Sequence, residues 1–140
     1  MSRDVDTRQL DAFVQSLVDI ATKTIPKESK KFLRGEGTKL RKATAAQARK
    51  SVNKKSNRYF KSIKRGRAYD FNGVPSIRVY STAPHAHLIE DGHRIVGRDG
   101  TEHGFQPGLK VFERASMAFE DTYVDDVEAW VDKMLKEGKL

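Results

Sequence analysis

Apolar positions fall into a helical, then an alternating, then again a helical rhythm along this chain. Asp4 or Asp6 can cap a first helix, after which Leu10, Phe13, Val14, Leu17, Val18 and Ala21 recur at steps of three and four. Asp11 and Asp19 lie off that stripe. Pro26 lacks an N–H and crowds the preceding turn, so the helix should end or kink near Ile25. Phe32 and Leu33 resume the pattern, and Gly35 and Gly37 around Glu36 predict a break. A second helical run, Thr38 to about Ser51, sets Leu40, Ala43, Ala46 and Ala48 against Lys and Arg. Lys54 to Asn57 reads as a turn.

The rhythm then shifts towards alternation. A strand is expected near 58–70, with Tyr59, Lys61 and Ile63 on one face, Phe60, Ser62 and Lys64 on the other, and a bulge or bend at Gly66. Asn72-Gly73 is a two-residue hairpin signal, so a second strand, about 75–82, should return antiparallel. Pro84 and Gly92 suit the start and end of a short helix, 84–91. Residues 94–105 read as a further hairpin or loop around Gly97-Arg-Asp-Gly100, and Gln106-Pro-Gly108 turns the chain. From 109 to about 137, Val111, Phe112, Ala115, Phe119, Tyr123, Val127, Trp130, Val131, Met134 and Leu135 predict a long closing helix. The expected fold class is α+β: a short antiparallel sheet packed by long N- and C-terminal helices. At 140 residues one domain is expected, with parts 1–51 (helical and basic), 52–108 (sheet, short helix and loops) and 109–137 (closing helix).

Composition narrows the class. Hydrophobic residues are 37% and charged residues 33%, a small core under a large polar surface. There is no cysteine, hence no disulfide or thiolate chemistry. No stretch has the length of a membrane span, and the N-terminus lacks the apolar run of a signal peptide, so a soluble protein without membrane contact is expected. Net charge is +8 but polarised. Residues 23–67 carry seventeen Lys and Arg against two acids, whereas residues 112–140 carry eight acids against four cations. Such a chain can face nucleic acid with one end, or present that end to the acidic end of a neighbouring copy.

Candidate chemistry concentrates in Ser81-Thr-Ala-Pro-His-Ala-His-Leu-Ile-Glu-Asp-Gly-His93, which holds three of the four histidines. On a helix His85 and His87 diverge by about 200° and cannot share a metal, and no H-E-x-x-H is present. His87 with Glu90 or Asp91 gives at most a two-ligand start, short of a zinc site. Glu90 and Asp91 diverge by about 100°, poor geometry for a paired acid and base. Ser81 and Ser116 lack a nucleophile elbow, and Gly35-x-Gly37 lacks the strand and Lys of a phosphate loop. Catalysis, cofactors and metals are therefore not expected. Arg49, Lys50, Lys54, Lys55, Arg58, Lys61, Lys64, Arg65 and Arg67, interleaved with Tyr59 and Phe60, could neutralise nucleic-acid phosphates without reading sequence. No known DNA-reading motif accompanies them.

Ala83-Pro-His-Ala-His-Leu-Ile-Glu-Asp-Gly-His93, followed by Gly104-Phe-Gln-Pro-Gly108 and Val111-Phe-Glu-Arg-Ala115, resembles a family of small neck, tail-completion or minor tail proteins of long-tailed phages and prophages. Family members read aromatic-or-His, Ala, His, two apolar residues, Glu, x, Gly. Many carry an aromatic where His85 stands and Thr where His93 stands. The resemblance implies an α+β fold and a non-enzymatic role in head–tail joining or tail completion, as a ring of copies among other neck or tail proteins. It implies assembly in the bacterial host cytoplasm and residence in the virion. Within that frame, His87, Glu90 and His93 at the margin of the 84–91 helix, with Arg94 and Arg98 in the following loop, are the expected assembly residues, while Leu88 and Ile89 are expected to pack on the sheet. The basic stretch would make non-specific contact with phage DNA, and segments 34–57 and 94–107 would order on assembly. The alternative is a non-specific nucleic-acid-binding accessory protein.

Overall fold

A computed structural model describes residues 8–52 and 57–140. The Asp4/Asp6 cap and the turn residues Lys54 and Lys55 lie outside the described residues. The fold is α+β. Helix α1 spans Arg8–Asp19 and runs through a π-helical turn, Ile20–Thr24, into α2, Ile25–Ser51. The wide turn is where Pro26 makes itself felt: Ile25 N–H reaches Ile20 O rather than the carbonyl four residues back, which relieves the clash a proline ring makes in a tight α turn.

One expectation about the first third is corrected. No break occurs at Gly35-Glu36-Gly37; α2 is continuous to Ser51. The glycine at 37 serves close packing instead. A Cβ there would come 2.9 Å from Ile77 Cδ1 and 3.0 Å from Arg65 Cγ, so its absence lets the helix backbone approach the sheet.

The strand expected from residue 58 begins later. Asn57–Lys61 is a short helix, α3, followed by β1, Ile63–Arg65. Tyr59 and Phe60 are adjacent and both buried, 1% and 8% exposed. A strand would send them to opposite faces, whereas a helix turns only about 100° between them and buries both. Beyond β1, β2 (Tyr69–Phe71) and β3 (Val74–Ser76) form a hairpin, and β4 (Val79–Ser81) returns on β1. The register pairs Arg65 with Val79 and Tyr69 with Ser76. Three residues, Gly66 to Ala68, thus face two, Ile77 and Arg78, a bulge beside Gly66 that splits one long hairpin into two short ladders. Asn72 and Gly73 both have positive φ, 50° and 79°, as the tight hairpin turn requires.

Helix α4 covers Ala86–Asp91 and leads directly into β5, Gly92–Val96. Strand β6, Glu102–Pro107, pairs antiparallel with β5, so the second hairpin reaches from 92 to 107, wider than expected. Helix α5, Val111–Lys136, closes the chain and packs along α2. Phe32 stacks on Trp130 at 5.2 Å between centroids and lies 6.2 Å from Tyr123. A second core, under the β1–β4 ladder, gathers Ala45, Ala48, Tyr59, Phe60, Ile63 and Val111.

Candidate assembly surface

The end of α4 is tied to the start of α5. The carbonyls of Ile89 and Glu90 accept N–H groups from Leu109 (2.7 Å) and Lys110 (3.3 Å). The Glu90 carboxylate accepts the N–H of Phe112 at 2.6 and 3.1 Å and that of Glu113 at 3.3 Å. Those are orphan donors of a helix N-terminus, and a carboxylate there also meets the positive end of the helix dipole. Lys110, with φ of 51°, pairs its Nζ with Asp91 at 3.2 Å. Close approach is possible because residue 108 is glycine: the backbone of Glu90 and Asp91 fills the space its Cβ would need. Gly92, at φ 92° and ψ 177°, makes the turn from α4 into β5 in backbone space that only glycine enters readily.

The five assembly candidates spread over this junction and the hairpin beyond it. His87 is exposed on α4, and His93 is exposed on β5 opposite Gln106. Arg94 sits opposite Phe105, and Arg98 is exposed in the connecting loop. Glu90 alone turns inward, to cap α5. His93 shares a shallow apolar cleft with His85, Leu88, Ile89 and Leu109, which His87 does not line. Leu88 is exposed while Ile89 packs against the core, so α4 seats one of the two apolar residues expected to pack. The Thr101 side chain first, and then its N–H at 3.0 Å, hydrogen-bond to Asp99, which holds its carboxyl below the usual range and fixes the loop.

The basic residues divide by what they do. Arg65 reaches back to α2, donating to Arg34 O at 3.0 Å. Arg49 lies over the Phe60 ring at 5.7 Å. Arg41, Lys42, Arg49, Lys61 and Lys64 line one cleft between α2, α3 and β1, floored by Ala45 and Phe60. Arg58 joins Lys61 and Lys64 in a second cleft that runs on towards Pro84 and His85. Lys50 and Arg67 are exposed outside both. Among the described residues, the cations of the two clefts form no ion pair. Elsewhere cations are engaged: Lys39 with Asp126 at 2.7 Å, Lys30 with Asp70 at 3.2 Å and Lys139 with Glu28 at 3.3 Å.

Apolar surface is left uncovered to an unusual degree. Leu10, Phe13, Val14, Leu17 and Val18, the whole stripe of α1, are between 45% and 60% exposed. Ile95, Val96 and Phe105 on the second hairpin and Phe71 and Val74 on the first are exposed as well.

Three features escaped the sequence. Ser62 and Ser81 join a buried relay: Ala83 N–H donates to Ser81 Oγ (3.1 Å), which lies 2.6 Å from Ser62 Oγ, and Ser62 donates to Tyr59 O. Small hydroxyls on paired strands leave no periodic signal. Glu36, inside the predicted break, is buried against α5 with Lys39 and Asp126; burial and the neighbouring Asp126 carboxyl raise its pKa, while Lys39 lowers that of Asp126. Arg41 and Lys42 join the basic cleft although they precede the run of cations from Arg49 to Arg67 that sequence singled out. The helical spacing of 41, 45 and 49 could have shown it. Among the described residues, no group of three or more His, Cys, Asp or Glu could hold a metal ion, and no helix is long and apolar enough to cross a membrane.

Comparison with protein families matches residues 6–92 to the HK97-gp10-like family, described as "Bacteriophage HK97-gp10, putative tail-component". The matched span runs from α1 to the α4–β5 junction. No curated protein and no solved structure matches the chain.

Proposed function

The chain belongs to the HK97-gp10-like family of phage tail components, and on that premise we propose that it is a structural part of the virion that joins head to tail or completes the tail, acting as one copy in a ring. The uncovered surface carries this reading. The exposed large apolar side chains of α1 and the two hairpins are what a subunit with a neighbour on either side would bury, since a standard interface takes about 800 Å² from each partner. His87, His93, Arg94 and Arg98 stand exposed where such neighbours could reach them, and Glu90 holds the junction that presents them.

The test is a phage or prophage with this gene removed. Particles should accumulate as unjoined heads and tails or as unfinished tails, and the chain should be found in purified wild-type virions. Infectious particles of normal shape from the deletion, with the chain absent from wild-type particles, would overturn the reading.

A second reading, non-specific contact with DNA, draws support from the unpaired cations of the clefts together with Lys50 and Arg67. It calls for duplex binding by the isolated chain that weakens steeply with salt and shows no sequence preference.

A further inference from the structure

The outer side of α5 carries a pattern that family membership leaves unexplained. Asp121, Asp125, Glu128 and Asp132 recur at steps of four, three and four, which places all four within about 60° on one face of the helix. That face lies opposite Phe119, Tyr123, Asp126 and Trp130, the side of α5 that meets α2 or its aromatic neighbours. All four carboxylates are exposed, and none forms an ion pair among the described residues. Beside them runs an apolar row, Met117, Val124 and Leu135, exposed by 69%, 49% and 56%. An amphipathic helix of a finished monomer has no reason to alternate an acidic ridge with exposed Met, Val and Leu.

The basic cleft between α2, α3 and β1 is its counterpart in charge and size. The ridge from Asp121 to Asp132 is about 16 Å long, and Arg41 to Arg49 along α2 spans about 12 Å at the helical rise. Among the described residues neither set of charges forms an ion pair, and the cleft has an apolar floor in Ala45 and Phe60. DNA would satisfy the cleft alone. It would leave the ridge and its apolar row uncovered.

We propose that the acidic face of α5 of one copy docks on the basic cleft of the next, making the head-to-tail contact of the ring. The inference rests on the assembly reading above and names its interface. The contact is heterologous, since each copy offers a ridge to one neighbour and a cleft to the other, and repetition around a closing rotation gives a ring. Complementary charge sets register and speeds encounter, while Val124, exposed beside the ridge between Asp121 and Glu128, loses apolar area to water on docking.

The test uses purified full chain followed by sedimentation velocity at 50 and 500 mM salt. Wild type should self-associate at low salt and weaken at high salt. Lys61→Glu with Lys64→Glu, and separately Asp121→Lys with Asp125→Lys, should each weaken self-association by about tenfold or more. An equimolar mixture of the two variants should restore it, because each then meets a neighbour of opposite charge; that recovery also shows both variants are folded. Three results would overturn the contact: no self-association of wild type at low salt, variants that associate as wild type does, or a mixture that fails to recover. Salt-sensitive binding of a short duplex that Lys61→Glu with Lys64→Glu abolishes, with self-association unchanged, would assign the cleft to DNA instead. Particles that still require the chain in any of these cases would leave the assembly role standing and remove only this interface.

Discussion

The carboxylate of Glu90 caps the N-terminus of α5 from 22 residues away, 2.6 Å from the backbone nitrogen of Phe112. Because the same residue's carbonyl accepts Lys110 N–H, one side chain and one peptide group fix where the closing helix leaves the second hairpin. The family match ends at residue 92, so this residue, at the edge of the matched span, anchors the part of the chain beyond it.

Glu90→Ala should therefore cost about 1–2 kcal/mol, the usual worth of a helix cap with a favourable dipole. Glu90→Gln keeps an acceptor oxygen and loses the charge, so its cost should be smaller. Urea denaturation at pH 7 measures both. Equal stability of Glu90→Ala and wild type would show that α5 starts where it does without this cap.

Tyr59 offers a pH test. Its ring is buried, its hydroxyl has no hydrogen-bond partner among the described residues, and burial, with a lesser contribution from the Glu90 charge, pushes its pKa up to about 12. An unfolded tyrosine ionises near 10. Between pH 10 and 12 the unfolded chain thus loses this proton while the folded chain keeps it, and stability should fall by about 1.4 kcal/mol per pH unit on this account alone. Tyr59→Phe should be at least as stable as wild type at pH 7, because an unsatisfied buried hydroxyl is removed, and should decline less steeply from pH 10 to 12. Identical slopes for the two chains would contradict this.

Two glycines should respond in opposite directions to alanine. At Gly35 nothing lies within 4 Å of a new Cβ, and the position is helix interior, so Gly35→Ala should stabilise by about 0.5–1 kcal/mol. At Gly108 the Cβ would run into the backbone of Glu90 and Asp91. Gly108→Ala should destabilise by more than Gly35→Ala gains, with loss of the α4–α5 tie visible as raised amide exchange at Leu109 and Phe112. Thermal melts of the pair decide it.

The same two positions show how far sequence reading reached. Periodicity located α1 and α5, because each carries an apolar stripe of correct spacing, and the part of α2 from Thr38 on; Pro84 and Gly92 located α4, and Asn72-Gly73 the first hairpin. It misread Gly35-Glu36-Gly37 as a break, since a glycine that admits a neighbouring sheet looks the same in one dimension as one that ends a helix. It misread residues 58–61 as strand because the alternation was taken through Tyr59 and Phe60, which tertiary packing buries together. Glu90 stood out in sequence as part of a short motif, but its cap on α5 is a long-range contact that no local spacing encodes. The basic cleft was half legible: Arg49, Lys61 and Lys64 came from the run of charge, whereas Arg41 and Lys42 join it only through the course of α2.

The Glu36–Lys39–Asp126 group predicts a pH dependence of known sign. The folded pKa of Glu36 is raised, first by burial and then by Asp126. As pH rises past the unfolded value near 4.5, the unfolded chain releases this proton first and stability falls until the folded pKa is passed. Asp126, held low chiefly by Lys39, acts the other way: its contribution is lost as pH falls through its folded pKa. Glu36→Gln should remove the fall on the alkaline side and leave the chain more stable than wild type at pH 7. A variant less stable at pH 7 would mean that the Lys39 pairing outweighs the burial of the charge.

The stripe of α1 separates folding from assembly. In a monomer, five large apolar residues exposed along one helix stabilise nothing by burial, since transfer from water is the source of that energy. Phe13→Gln with Leu17→Gln should therefore change unfolding free energy by no more than about 0.5 kcal/mol, as for other exposed positions. The same pair should impair incorporation into particles, because on assembly these side chains would each lose apolar area worth about 25 cal/mol per Å². Denaturation of the purified variant and complementation of a phage lacking the gene give the two readouts. A large loss of monomer stability would mean that α1 packs on its own chain. Full complementation would mean that the stripe stays bare in the virion, and the uncovered surface would then have to find its neighbours through the hairpins and α5 alone.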